Sequence, residues 1–238
     1  MGRREGRRGA RSAPVGRSEP MRILIAEDQG LLRASLAVLL EAEPDMSVVA
    51  AVGDGAEAVA RSVELRPDLV IMDIQMPVLS GIEATARICS DPALAGTRVL
   101  ILTMFELDDY VLGALRAGAS GFLLKDAEPQ TLVDAARTLH AGQSLLGPGV
   151  LARLLARSAG SGRPSAELRG RVRGLTPRQR EVLVLIARGL SNSQIEAELS
   201  ITRATCRTHI TALLARLGAR DRAQLVIAAY ESGLIVPG

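Results

Sequence analysis

Between residues 21 and 141, five short apolar runs alternate with amphipathic segments. The runs are RILIA (22–26), SVVAAV (47–52), DLVIMD (68–73), RVLILT (98–103) and GFLLK (121–125), and the amphipathic segments lie near 30–42, 55–65, 80–89, 107–117 and 128–141. Runs apolar at successive rather than alternate positions are strands buried on both faces, and the 3.6-residue periodicity between them predicts crossover helices. This pattern implies a doubly wound α/β domain with a five-stranded parallel sheet. In such a sheet, ligands sit beyond the carboxyl ends of the strands, near the point where strand order switches.

The strand pattern stops at about residue 141. Residues 142–174 are rich in Gly, Ser, Pro and Arg around one apolar patch, VLARLLA (150–156), and read as a linker with a short helix of its own. Residues 175–238 form a second domain, in which 176–234 read as four helices. Charge divides the same way. Residues 21–150 carry 9 basic and 18 acidic groups, a net of −9, and residues 170–238 carry 10 basic and 5 acidic groups, a net of +5. An acidic unit joined to a basic one predicts two modules with different partners, the basic one suited to a polyanion. Residues 1–20, with six Arg among Gly, Ser and Pro, read as a disordered arm. Met21 opens the first strand, so an upstream start is favoured over a role for that arm in DNA contact.

With two Phe, two Tyr and no Trp, the cores must be built from Leu, Val, Ile and Ala, and aromatic platforms for single-stranded nucleic acid are excluded. Cys89 and Cys206 lie far apart, form no CxxC pair and read as reduced thiols. No apolar run approaches a membrane span and the N-terminus lacks a secretory core, so a cytoplasmic protein is expected.

Polar residues gather at the strand ends: Glu27 and Asp28 after the first, Asp73 ending the third, Thr103 the fourth and Lys125 the fifth. Three carboxylates brought together repel unless a cation neutralises them, and Mg²⁺, a hard ion that takes few carboxylates and keeps waters, suits them. With Mg²⁺ and Lys125 the formal charge of the cluster is zero, and it can receive an anion. A carboxylate there can attack phosphorus to give an aspartyl phosphate while the cations neutralise the transferring oxygens. Lys125 is the only lysine among 29 basic residues. A compact ammonium reaches a single phosphoryl oxygen among crowded carboxylates better than a planar guanidinium does.

Residues 21–141 resemble a response-regulator receiver domain, on the acidic pair Glu27 and Asp28, the motif DIQMPVLSG from Asp73 to Gly81, Thr103 in LILT and Lys125 in GASGFLLKD. Taken singly, each is an ordinary loop, packing or turn residue; jointly they agree in order, type and strand position. The resemblance implies a flavodoxin-like fold and transfer of phosphate from a sensor histidine kinase to Asp73. It also implies Mg²⁺ held by Asp28, Asp73 and the carbonyl of Gln75, with Glu27 acting largely through water, and Phe122 as the switch aromatic. A phosphatase of the haloacid-dehalogenase type would carry a general-acid Asp two residues after the nucleophile; Gln75 stands there and cannot shuttle a proton, so an enzyme is not expected. A DNA-binding protein whose receiver serves only for dimerisation is the other rival.

In the basic domain, TPRQ (176–179), SNSQ (191–194) and DRAQ (221–224) each place Gln three residues after an N-cap residue, the capping-box spacing, and Thr202 caps a further helix. The short turn LSITRAT (199–205) between two helices marks a helix-turn-helix. Residues 175–235 resemble the LuxR-type helix-turn-helix of NarL/FixJ-type regulators. That resemblance implies base contacts from Arg207, Thr208 and Thr211 and phosphate contacts from Arg203 and His209 on double-stranded promoter DNA. Cys206 and Thr211 depart from the family's usual residues, and Thr211 leaves the target sequence open. In the last helix Leu225, Val226, Ala229 and Tyr230 recur at helical spacing; packing alone makes them core, and the resemblance implies a homodimer face formed on phosphorylation.

Overall fold

The structure, a computed structural model, describes residues 19–104, 108–142, 145 and 166–235. Most of the Arg-rich arm and the patch at 150–156 lie outside these residues. Strands β1 (Met21–Ala26), β2 (Met46–Val52), β3 (Leu69–Asp73), β4 (Arg98–Thr103) and β5 (Gly121–Leu124) alternate with helices α1 (Gly30–Glu41), α2 (Gly55–Leu65), α3 (Gly81–Ser90), α4 (Asp108–Arg116) and α5 (Pro129–His140). All pairings are parallel, in the order β2-β1-β3-β4-β5. Strand order therefore reverses between β1 and β3, where Glu27, Asp28 and Asp73 emerge.

Alternate side chains of the central strands feed two cores. Ile23, Ile25, Leu69, Ile71, Leu100 and Leu102 pack with Leu36 and Leu40 of α1 and Leu132, Val133 and Leu139 of α5. Leu24, Ala26, Val70, Met72, Val99 and Ile101 pack with Ala58 of α2 and Ala84 and Ile88 of α3. Burial on both faces is the reason these strands read as unbroken apolar runs.

Among the described residues that follow there are five helices: α6 (Ala166–Arg173), α7 (Pro177–Ala187), α8 (Asn192–Glu198), α9 (Arg203–Leu217) and α10 (Arg222–Glu231). Reciprocal capping boxes close at Thr176 with Gln179 and at Ser191 with Gln194, and the Thr202 hydroxyl accepts from the amide of Thr205. The expected third box differs. Asp221 accepts from the amide of Gln224, but the Gln224 side chain donates instead to the carbonyl of Leu115 in α4, at 2.7 Å.

That bond belongs to a wider junction between the two units. Val111, Leu112 and Leu115 of α4 join one apolar cluster with Val182, Leu183 and Ile186 of α7 and Leu225, Val226 and Ala229 of α10. At its rim Arg220 donates to the carbonyls of Leu94 and Thr97 at 2.5 and 2.6 Å, and Arg116 pairs with Glu231 at 2.7 Å.

Candidate functional site

The β3–α3 turn is shaped by its glycine. A Cβ on Gly81 would stand 1.8 Å from the carbonyl oxygen of Asp73, so only glycine lets α3 start this close to the strand end. Ser80 and Glu83 then close a capping box on α3. Within the turn, Val78 adopts φ 66° and Leu79 donates to Pro77 at 2.7 Å, a strained three-residue turn that leaves Val78 exposed.

At the carboxyl end of the sheet lies a recess of about 100 Å³, lined by Asp28, Gln29, Asp73, Ile74, Gln75, Thr103, Met104, Tyr110 and Lys125. Oxygens of Glu27, Asp28 and Asp73 lie within 4.8 Å of one another. Glu27, Asp73 and Thr103 are buried, whereas Asp28 is exposed. The Lys125 ammonium, its side chain only 4% exposed, sits 2.9 Å from Asp73 Oδ2 and bonds Glu27 Oε1 at 3.0 Å. Glu27 Oε2 lies 2.8 Å from the same ammonium but outside hydrogen-bond alignment, and is otherwise without a partner. Asp73 Oδ1 accepts from the amide of Ile74 at 2.8 Å.

Burial raises the affinity of the Glu27 carboxyl for its proton, and the charge of Asp73 adds to this against the opposing bond from Lys125. Burial also works against the Lys125 ammonium, but its bonds to Glu27 and Asp73 outweigh that and hold it above its ordinary value. The sequence-predicted residues are thus brought together, three carboxylates against one ammonium. The remaining negative charge, the oxygen-only donor set and the unaligned Glu27 Oε2 fit a hard divalent cation. Phe122 is half-buried and packs against both the sheet core and the α4–α10 cluster.

The second predicted surface lies on α9. Arg203, Arg207, Thr208 and Thr211 are exposed and His209 is half-buried, while Cys206, Leu213 and Leu217 of the same helix are buried. Cys206 is fully buried, where its small apolar side chain fits the core. Arg222 donates to Asn192 at 2.9 Å and to the carbonyl of Leu190, fixing the start of α8. Arg178 donates to the carbonyl of Leu199 at 2.6 Å, fixing its end.

Leu225, Val226 and Ala229 are buried within the chain itself, and Tyr230 is half-buried. The spacing that marks a dimer face equally marks an internal packing face, and here α7 and α4 cover it. Sequence reasoning also missed Arg33, on the first turn of α1, which donates to the carbonyls of Glu27 and Asp28. No residue type in the sequence signals it, because its partners are backbone carbonyls.

Among the described residues no helix is long and apolar enough to cross a membrane. Residues 23–137 match the family model of the response regulator receiver domain, and residues 173–229 that of bacterial regulatory proteins of the luxR family. The chain is 38% identical over 215 residues to the transcriptional regulatory protein LiaR of Bacillus subtilis, covering 90% of this chain and 99% of that protein. It is 36% identical over 215 residues to the response regulator protein VraR of Staphylococcus aureus, with the same shares covered. A crystal structure of a LuxR-family two-component response regulator from Aurantimonas sp. matches with a TM-score of 0.52 at 33% identity, over 59% of this chain and 99% of that one.

Proposed function

The chain belongs to the two-component response regulators that join a receiver domain to a LuxR-type DNA-binding domain, a family of transcription regulators rather than enzymes, and we propose that phosphorylation of Asp73 controls its action. The observation that carries this reading is the Lys125 ammonium held between Glu27 and Asp73 at the recess. A sensor histidine kinase supplies the phosphoryl group in the cytoplasm. The Asp73 carboxylate attacks phosphorus, the P–N bond of the phosphohistidine breaks, and its electron pair returns to the imidazole. Lys125 moves onto a phosphoryl oxygen and the Thr103 hydroxyl donates to another. Asp28, Asp73 and the Gln75 carbonyl, with Glu27 through water, would hold Mg²⁺, which would further neutralise the transferring oxygens.

Phosphorylation then shifts a population toward a homodimer that binds promoter DNA. Phe122 couples the sheet core beneath the recess to the α4–α10 junction, since it packs against both clusters. Opening that junction makes the α10 face with Leu225, Val226, Ala229 and Tyr230 available to a second copy. Arg207, Thr208 and Thr211 read bases, and Arg203 and His209 contact phosphates. Two such helices lie about 34 Å apart on a palindromic site. Selection of genomic DNA by the native protein, with and without acetyl phosphate, tests this: enrichment of one site class only after phosphorylation is expected, and equal selection in both arms would support a phosphorylation-independent regulator.

A further inference from the structure

Glu27 and Asp28 differ in what holds them. The Glu27 carboxylate is fixed by Lys125 and by the amide of Gln29 at 3.2 Å. Among the described residues none hydrogen-bonds to the Asp28 carboxylate, which is exposed, so its place is set by its backbone. That backbone is gripped by Arg33. One guanidinium nitrogen donates to the carbonyl of Glu27 at 2.5 Å and lies 3.3 Å from that of Asp28. On its other side is Gly53, where a Cβ would stand 3.3 Å from the same nitrogen. The guanidinium thus fills a slot between the β1–α1 turn and the β2–α2 turn, and glycine keeps the slot open.

We infer that Arg33 is a positioning residue for the cation site: it sets the two peptide planes that aim Glu27 and Asp28 into the recess, and Gly53 sets Arg33. Holding two successive carbonyls fixes the peptide planes on either side of Asp28, and with them the direction of its Cα–Cβ bond. Without that grip the backbone on either side of Asp28 varies as well as its exposed side chain, and the cation must order both on binding. Outer-shell groups of this kind typically change metal affinity by about 10–100-fold when removed. Arg33 reaches both carbonyls through one nitrogen of a rigid planar group that also fills the slot beside Gly53, whereas a lysine would bring a flexible ammonium without that planar body.

This inference rests on the proposed cation-dependent phosphorylation, and the test separates the two. Mg²⁺ is titrated calorimetrically into the full chain and into R33Q, R33K and G53V, with thermal unfolding followed in the absence of Mg²⁺. Expected is about ten-fold weaker Mg²⁺ binding in R33Q, partial recovery in R33K, and a several-fold loss in G53V, which keeps the charge but crowds its slot. Labelling by acetyl phosphate should need proportionally more Mg²⁺ in R33Q and return to the native rate at saturation, a split that general loosening of the fold does not produce. Binding by R33Q within two-fold of native overturns the inference. So does full recovery in R33K with G53V unaffected, which shows that charge alone matters. If the native chain itself neither binds Mg²⁺ nor takes label, the proposed function fails instead.

Discussion

The recess at the end of the sheet and the outer face of α9 use charge in opposite ways. In the recess, carboxylates and an ammonium are buried against one another and their distances are fixed by strand ends and by Gly81. On α9 the cations Arg203 and Arg207 stand exposed on a helix whose other face is buried. Buried charges interact strongly and tolerate little displacement; exposed ones are screened, act at longer range and release counterions when they meet phosphate. The first arrangement suits the single phosphoryl group proposed for it, and the second a long anionic surface. Each can be disabled without the other, and this independence is what substitutions should test.

The largest effect belongs to Asp73→Asn. The amide is not a nucleophile, so covalent labelling by acetyl phosphate should be abolished while DNA binding by the unphosphorylated chain stays at its native level. Undiminished labelling would sink the site assignment. Next comes Lys125→Arg, which keeps the charge but replaces a compact ammonium by a wider fork in a buried position. The fold should persist and label should still be taken up, yet sedimentation should show no gain of dimer on phosphorylation. Normal dimerisation of the labelled variant would make the choice of lysine incidental.

The reciprocal break lies on α9. Arg207→Ala should cost about 1–3 kcal/mol of binding to the selected site and relax preference at one base position. Arg203→Ala should instead weaken binding evenly across sequences and lower the salt dependence by about one phosphate contact. Neither should change labelling of Asp73. Gel-shift titrations on matched and mismatched sites at two salt concentrations distinguish the two roles, and identical behaviour of the two variants would refute the division between base and phosphate contact.

Legibility in the sequence follows the same division. The sheet could be read because both faces of each strand are covered, so burial writes itself as uninterrupted apolar runs such as LVIM in β3. The recess could be read because a parallel sheet carries every strand end to one side, which turns linear spacing into proximity for Glu27, Asp73, Thr103 and Lys125. Arg33 was not legible: it acts on backbone carbonyls, which every residue has, so nothing in the types of Glu27 and Asp28 calls for it. The junction was not legible either. Leu225, Val226 and Ala229 announce an apolar face, but helical spacing carries no information about whether α4 of the same chain or a second copy covers it.

Gln224 gives the smallest effect and tests the link between the two regions. Its position, three residues after Asp221, is that of a capping-box partner, yet its side chain reaches across to the Leu115 carbonyl at 2.7 Å. When α4 and α10 part, that amide is free to turn back to the N-cap backbone of its own helix, so the closed and open arrangements differ by an exchange of one hydrogen bond for another. Such an exchange leaves only a small difference between the two states, which suits a contact that the proposed phosphorylation of Asp73 has to shift. Gln224→Met keeps the volume and removes both options; each bond is worth about 1 kcal/mol net, so their losses largely cancel and the open population should rise by no more than about two-fold. Hydrogen exchange at the amides of α10 in the unphosphorylated chain reads this directly. Faster exchange in Gln224→Met, abolished neither by Asp73→Asn nor by Arg207→Ala, would place the side chain at the junction itself, whereas unchanged exchange would mean that the apolar cluster of Val111, Leu112 and Leu115 holds the two units closed without it.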